Sequence, residues 1–366
     1  MDNSSIRRQQ FAHLADVFPR HRLFQKWERL RHREAHWFVE LIAEALGVFI
    51  YVFAGVGAAA PYVVGTITGE PISSIFNIGF AYSLGVVFAI VICAPTSGGH
   101  FNPGITISFV IFKKFPPVKA IRYIIAQIFG AYVACLLIYV QYSHVINGLE
   151  ETLKANGTYD QVLFTPSGPA GIFALYAPPG SKLGQVFVNE FVCDLLIGLT
   201  IWACLDPTNF MAPPEVMPWI IGFSYCMIIT GFAPVGFCAN PARDLGARLM
   251  TMTIWGTQAS GGAFAAIMSL TNIPAMLCAA SIYEFILADG SRVITPCYAD
   301  VLAGRMAHAE HRDGAISLRS PLPSPTSENA PSNGSISSYA TESNTRIETI
   351  LEDIKDKARI EIEEIV

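Results

Sequence analysis

Ser97-Gly98-Gly99-His100-Phe101-Asn102-Pro103-Gly104 and Gly236-Phe237-Cys238-Ala239-Asn240-Pro241-Ala242-Arg243-Asp244 decide how this chain is read. Asn is a favoured N-cap, and Pro is tolerated in the first helical turn, where its missing N–H has no intrahelical partner to lose. Each Asn-Pro can therefore open a helix, although a single copy marks an ordinary turn just as readily. Two copies in matching contexts say more. Each opens an apolar piece, Asn102 to Phe112 and Asn240 to Met250, of 11 residues. A helix of that length rises about 16 Å, roughly half of a 30 Å hydrocarbon core. Both pieces are expected to enter a membrane and stop at its midplane.

Composition agrees with a membrane setting. Of the 366 residues 52% are hydrophobic and only 14% charged, against roughly 25% charged in an ordinary soluble domain. The mean hydropathy of +0.42 is diluted by polar ends. A net charge of −5 leaves no footprint for nucleic acid. Six of the eight cysteines lie inside apolar runs without metal-type spacing, so burial rather than a disulfide framework is expected. Cys238, two residues before Asn240, either faces a pore or packs on the scaffold.

Six stretches are long and apolar enough to span a bilayer: about Trp37 to Ala60, Ile75 to Ala94, Val118 to Gln141, Gln185 to Leu205, Met217 to Val235 and Ala263 to Leu287. An even number puts both termini on one side. The N-terminal arm (1–36) carries eight basic residues from Arg7 to Arg33. Lys113, Lys114, Lys119, Arg122 and Arg292 fall on the same side, which the positive-inside rule makes cytoplasmic. Residues 143–184 then form an extracellular connection containing the sequon Asn156-Gly157-Thr158. Residues 288–366 read as a cytosolic tail, mostly disordered, in which Ser324 and Thr326 are candidate phosphorylation sites and 345–366 can form an amphipathic helix.

The apolar region (37–287) divides into two similar halves, about 37–142 and 185–287. In each, an early glutamate precedes the Asn-Pro, Glu44 by 58 residues and Glu190 by 50. Three spans and one half-helix per half require the second copy to insert upside down, an inverted repeat that brings the two half-helix N-termini face to face.

The two quoted loops, together with Gln127-Ile128-Phe129-Gly130-Ala131 in the third span, resemble the signatures of the aquaporin and glycerol-channel family, the major intrinsic proteins. The resemblance implies an all-α membrane fold, an aquaporin-like bundle of six transmembrane helices plus two half-helices. It also implies a narrow pore in each subunit of a homotetramer, with no cofactor, no metal and no enzymatic activity. Selectivity would follow the account general to aquaporin-type channels, in which positive half-helix ends and an Arg repel cations while side-chain amides, here of Asn102 and Asn240, serve a passing oxygen. Glu44, Glu190, His100 and Gln127 would support the loops.

By spacing, the family's filter positions fall on Tyr82, Ile228, Phe237 and Arg243, with Thr230 the alternative to Ile228 if the fifth span is shifted. Lack of a histidine at the Ile228 position argues against a strict water filter, and Phe237 with Asp244 and Arg248 resembles the glycerol-conducting branch. Gly104 stands where the family usually has alanine, which is expected to loosen packing at that helix end. The leading expectation is a passive channel for water and neutral solutes such as glycerol in a plasma-membrane bilayer. A water-dominant channel with little glycerol flux is the near alternative, and an ion-coupled secondary transporter or a membrane scaffold the distant ones.

Overall fold

The structure is a computed structural model that describes Leu14 and residues 20–317 of the chain. It is helical throughout, with no strand among the described residues. Helix α1 (Arg22–Arg33) precedes the first span. The first half holds α2 (His36–Thr68), α3 (Ile75–Ser97), the short α4 (Pro103–Phe112) and α5 (Pro117–Ala155). The second holds α6 (Leu183–Leu205), α7 (Met217–Phe232), α8 (Pro241–Trp255), then α9 (Gly262–Leu270) and α10 (Asn272–Ile282) as one interrupted span. The interruption has a plain cause: Pro274 has no N–H to offer the Leu270 carbonyl. Among the described residues, six helical segments are long and apolar enough to cross a membrane, as the hydropathy pattern predicts.

Packing repeats between the halves. Helix α2 lies against α3 and α5, and α6 against α7 and α10, while α3 against α7 joins the halves. Each short helix is wedged between a span of its own half and one of the other: α4 touches α5 and α10, and α8 touches α9 and α5. Close crossings need small residues. A Cβ on Gly130 of α5 would run into the Ala45 carbonyl of α2, so only glycine lets these two spans meet.

Several boundaries differ from the sequence reading. Helix α2 continues past Pro61 to Thr68, since proline inside a span is tolerated where neighbours satisfy the freed carbonyl. The second short helix runs five residues beyond Met250, to Trp255. Helix α5 has 39 residues, about 58 Å of rise, so its last turns occupy part of the 143–184 connection. There Ile146, Leu149 and Leu153 are buried, an i, i+3, i+7 stripe that continues the helix beneath a polar face. The rest of the connection folds down over the bundle and buries Ile172 and Phe173. Part of the tail is also ordered, as α11 (Pro296–Ser317), tied to the end of α6 by the Thr295 N–H to the Pro207 carbonyl at 3.0 Å. Ser324, Thr326 and the proposed helix 345–366 lie outside the described residues.

Candidate functional site

Each asparagine caps its own short helix and reaches into the opposite loop. The Asn102 Oδ1 accepts from the Gly104 and Ile105 N–H groups at 2.7 and 3.4 Å, and the Asn240 Oδ1 from those of Ala242 and Arg243 at 2.9 and 3.3 Å. Their Nδ2 groups cross: Asn102 donates to the Ala239 carbonyl at 2.9 Å and Asn240 to the Phe101 carbonyl at 2.7 Å. Phe101 and Ala239, the residues immediately before the asparagines, both take positive φ, 48° and 66°. For a non-glycine residue this costs about 1–2 kcal/mol. The strain is matched in the two loops, and it accompanies the exchange of amide and carbonyl between them.

The glutamates hold those strained loops. Glu44, wholly buried, accepts from the Ser97 hydroxyl (2.7 Å), the His100 and Phe101 N–H groups (3.0 and 2.8 Å) and the Gln127 Nε2 (2.7 Å). Glu190 accepts from the Cys238 and Ala239 N–H groups at 2.8 and 2.9 Å. Gln127 also reaches the Thr106 hydroxyl at 3.1 Å. His100 packs among Phe109, Phe115 and Tyr123, with its Nδ1 3.3 Å from the Thr106 hydroxyl. Asp244 and Arg248 form a buried ion pair (2.6 Å), and Arg248 Nη2 donates to the Leu175 carbonyl at 3.0 Å. This pair ties α8 to the 143–184 connection.

Gly104 does not loosen its helix end. A Cβ there would collide with the Asn272 Oδ1 of α10, so the space of the missing methyl is occupied by an amide. The Asn272 Nδ2 donates to the Ala239 carbonyl at 2.8 Å, sharing that oxygen with Asn102. Gly104→Ala should therefore overpack the site at a cost of about 1–3 kcal/mol. The thermal unfolding midpoint should fall, and the double variant Gly104→Ala/Asn272→Ala should recover part of it. An unchanged midpoint in the single variant would show that the amide yields freely.

Above the crossing lies a cavity of about 670 Å³, lined among others by Tyr82, Ile229, Phe237 and Arg243. The Arg243 Nε and Nη2 both donate to the Tyr82 hydroxyl, at 3.0 and 2.8 Å, and its buried Nη1 has no hydrogen-bond partner among the described residues. Ile228 is not part of this lining. It is 1% exposed and packs inside the bundle, while its neighbour, one helical step of about 100° away, faces the cavity. Thr230 is exposed and stands beside Gly79 of α3. Ile229, not Ile228, thus stands on the cavity wall with Phe237 and Arg243, and the intervening Ala233–Val235 is a tighter 3₁₀ turn. Cys238 both lines the cavity and packs, with its thiol 3.3 Å from the Asn240 carbonyl.

A smaller cavity of about 80 Å³ lies on the other side, lined by His100, Phe101, Asn102 and Phe109 among others. Tyr51, Tyr225 and Asn240 line both cavities. Sequence reasoning passed over Tyr51, Tyr225, Ile229 and Asn272, since each sits in an apolar span at a position that only packing turns inward. It also passed over Asp194, wholly buried one helical turn after Glu190.

Six apolar spans around two short helices, joined N-terminus to N-terminus between two cavities, define an integral membrane protein with the architecture of a channel. A model of the Major intrinsic protein family matches residues 31–264, and the chain belongs to that family. It is 49% identical to Aquaporin-3 of Laccaria bicolor over 306 residues, 83% of this chain and 93% of that protein. It is 33% identical to the Glycerol uptake facilitator protein of Pseudomonas aeruginosa over 229 residues, 62% of this chain and 78% of that protein. The X-ray structure of the aquaglyceroporin from Plasmodium falciparum shares the fold, with a TM-score of 0.58 at 22% identity over 69% of this chain and 97% of that one.

Proposed function

We propose that this protein is a passive channel for water and small neutral solutes such as glycerol, and that it refuses ions and protons. The observation that carries this reading is the paired helix start, with Asn102 and Asn240 joined through opposite loop carbonyls. Each short helix presents roughly half a positive charge at its N-terminus, so a cation between the two meets repulsion from both sides. A neutral molecule carries no such penalty, and polar groups at the crossing replace part of its hydration. Tyr82, Phe237 and Ile229 offer apolar surface to the carbon edge of a polyol, and the free Arg243 Nη1 offers a donor to its hydroxyls. The names of the relatives, one an aquaporin and one a glycerol facilitator, support the same solutes.

The same reading orients the two halves as an inverted repeat, with both termini cytoplasmic in a plasma membrane and Asn156, exposed just beyond the end of α5, outside and open to glycosylation. Exposed apolar side chains such as Phe88, Ile92, Ile125, Phe129 and Val192 suit lipid and the neighbouring subunits of a homotetramer. Proteoliposomes test the function directly. Water and glycerol should equilibrate downhill with no ion gradient present, and no proton current should accompany them. Flux that depends on a sodium or proton gradient would replace the channel with a coupled transporter.

A further inference from the structure

An amide nitrogen has two hydrogens to give. Asn240 Nδ2 spends both inside the protein, on the Phe101 carbonyl and on the Tyr51 hydroxyl, each at 2.7 Å. Its Oδ1 is also committed, to the start of α8. Asn102 Nδ2 donates to the Ala239 carbonyl at 2.9 Å, and the Asn102 side chain also hydrogen-bonds Tyr225. Tyr51 accepts from Asn240, so its own O–H and its second lone pair remain available, and it stands where the outer and inner cavities meet.

From this arrangement we infer that Tyr51, rather than Asn240, is the group that a permeating molecule meets on that wall of the midplane, and that Tyr51 determines specificity there. The inference rests on the channel reading. Two properties follow from the residue type. The ring takes up cross-section that an aliphatic side chain would leave open. The hydroxyl both donates and accepts, whereas an amide N–H only donates, so a polyol can donate a hydrogen bond from one of its own hydroxyls to Tyr51 as it passes. The Tyr51 backbone is held close against α3, since a Cβ on Gly85 would lie 2.6 Å from the Tyr51 Cα. On the outer side the Tyr82 ring lies 6.4 Å away, centroid to centroid. A solute therefore passes from an aromatic filter to an aromatic midplane.

Two substitutions separate the ring from the hydroxyl. Water, glycerol and erythritol permeabilities should be measured on proteoliposomes holding equal amounts of monodisperse protein. Tyr51→Leu should raise the glycerol-to-water and erythritol-to-water ratios several-fold, erythritol the more. Tyr51→Phe keeps the ring and so should keep the size limit. It removes one acceptor, and glycerol permeability should fall relative to water by about fivefold, the effect of one lost hydrogen bond. Ratios that stay at the wild-type value in both variants, or a uniform drop for all three solutes, would make Tyr51 a packing residue and overturn the inference. If Tyr51→Leu does not fold, the near-isosteric Tyr51→Phe still decides through its glycerol-to-water ratio. Absence of flux through the wild type would instead overturn the channel reading itself.

Discussion

Glu44→Ala should leave no stable channel. Four donors converge on this wholly buried carboxylate: Ser97 Oγ, the His100 and Phe101 N–H groups, and Gln127 Nε2. Each buried donor left without a partner costs about 1–3 kcal/mol. The sum is a large share of the roughly 5–15 kcal/mol that holds a typical fold together. The loss also falls on a strained segment, since Phe101 keeps its positive φ only while its N–H is held and its carbonyl receives the Asn240 amide. Glu44→Gln should be intermediate, because an NH₂ group replaces one acceptor oxygen and faces donors. Detergent-solubilised protein should show aggregation or a thermal midpoint lowered by ten degrees or more, on the order expected for several kcal/mol. Glu151→Ala, on the exposed face of α5, serves as the control and should leave the midpoint in place. A wild-type midpoint in Glu44→Ala would mean that the loop is held by something other than this carboxylate.

Arg243→Ala should keep the fold and degrade selectivity. The guanidinium is buried against the larger cavity, bound on one side to the Tyr82 hydroxyl and without a partner at Nη1 among the described residues. Two unit charges 4 Å apart interact by about 4 kcal/mol at an effective dielectric of 20. Removing even half of that repulsion should raise cation entry more than about tenfold. The two helix ends remain, so exclusion weakens without disappearing. The alanine variant also deprives Tyr82 of both its donors, and the freed ring can move. Proton leak, read with a trapped pH dye after an acid pulse, should increase, and the glycerol-to-water ratio should shift with it. Arg243→Lys separates the two effects: it retains the charge but loses the planar fork. Ion exclusion should survive in that variant while the solute ratio changes. If Arg243→Ala changes neither readout, selection takes place elsewhere in the pore.

Both substitutions act on residues that hydropathy alone would mark as misplaced. A carboxylate and a guanidinium inside apolar stretches are too costly to occur without a partner or a task, so Glu44, Glu190 and Arg243 announce themselves in a linear reading. Tyr51, Tyr225 and Ile229 do not, because an aromatic or aliphatic side chain in a span is equally at home against lipid, in the core or on a pore wall. The stripe of Ile146, Leu149 and Leu153 was legible as helix, yet the polar residues between them gave it the composition of a connecting loop. Gly104 shows the opposite limit. Its lack of a side chain is visible in the sequence, but the meaning comes from Asn272, 168 residues away, which fills the space.

The paired Asn-Pro stretches, where the reading began, divide the credit in the same way. Local chemistry was enough to mark them as helix starts, since an N-cap asparagine and a first-turn proline act within their own turn. The amount of apolar sequence was enough to place them between membrane spans, because spanning a bilayer is a matter of length and hydropathy. Only the tertiary structure decided where the amide hydrogens of Asn240 go, one to the Phe101 carbonyl and one to the Tyr51 hydroxyl. That hydroxyl is brought in by α2 from 189 positions away, and hydrogen-bond partners at that separation are set by how the helices pack.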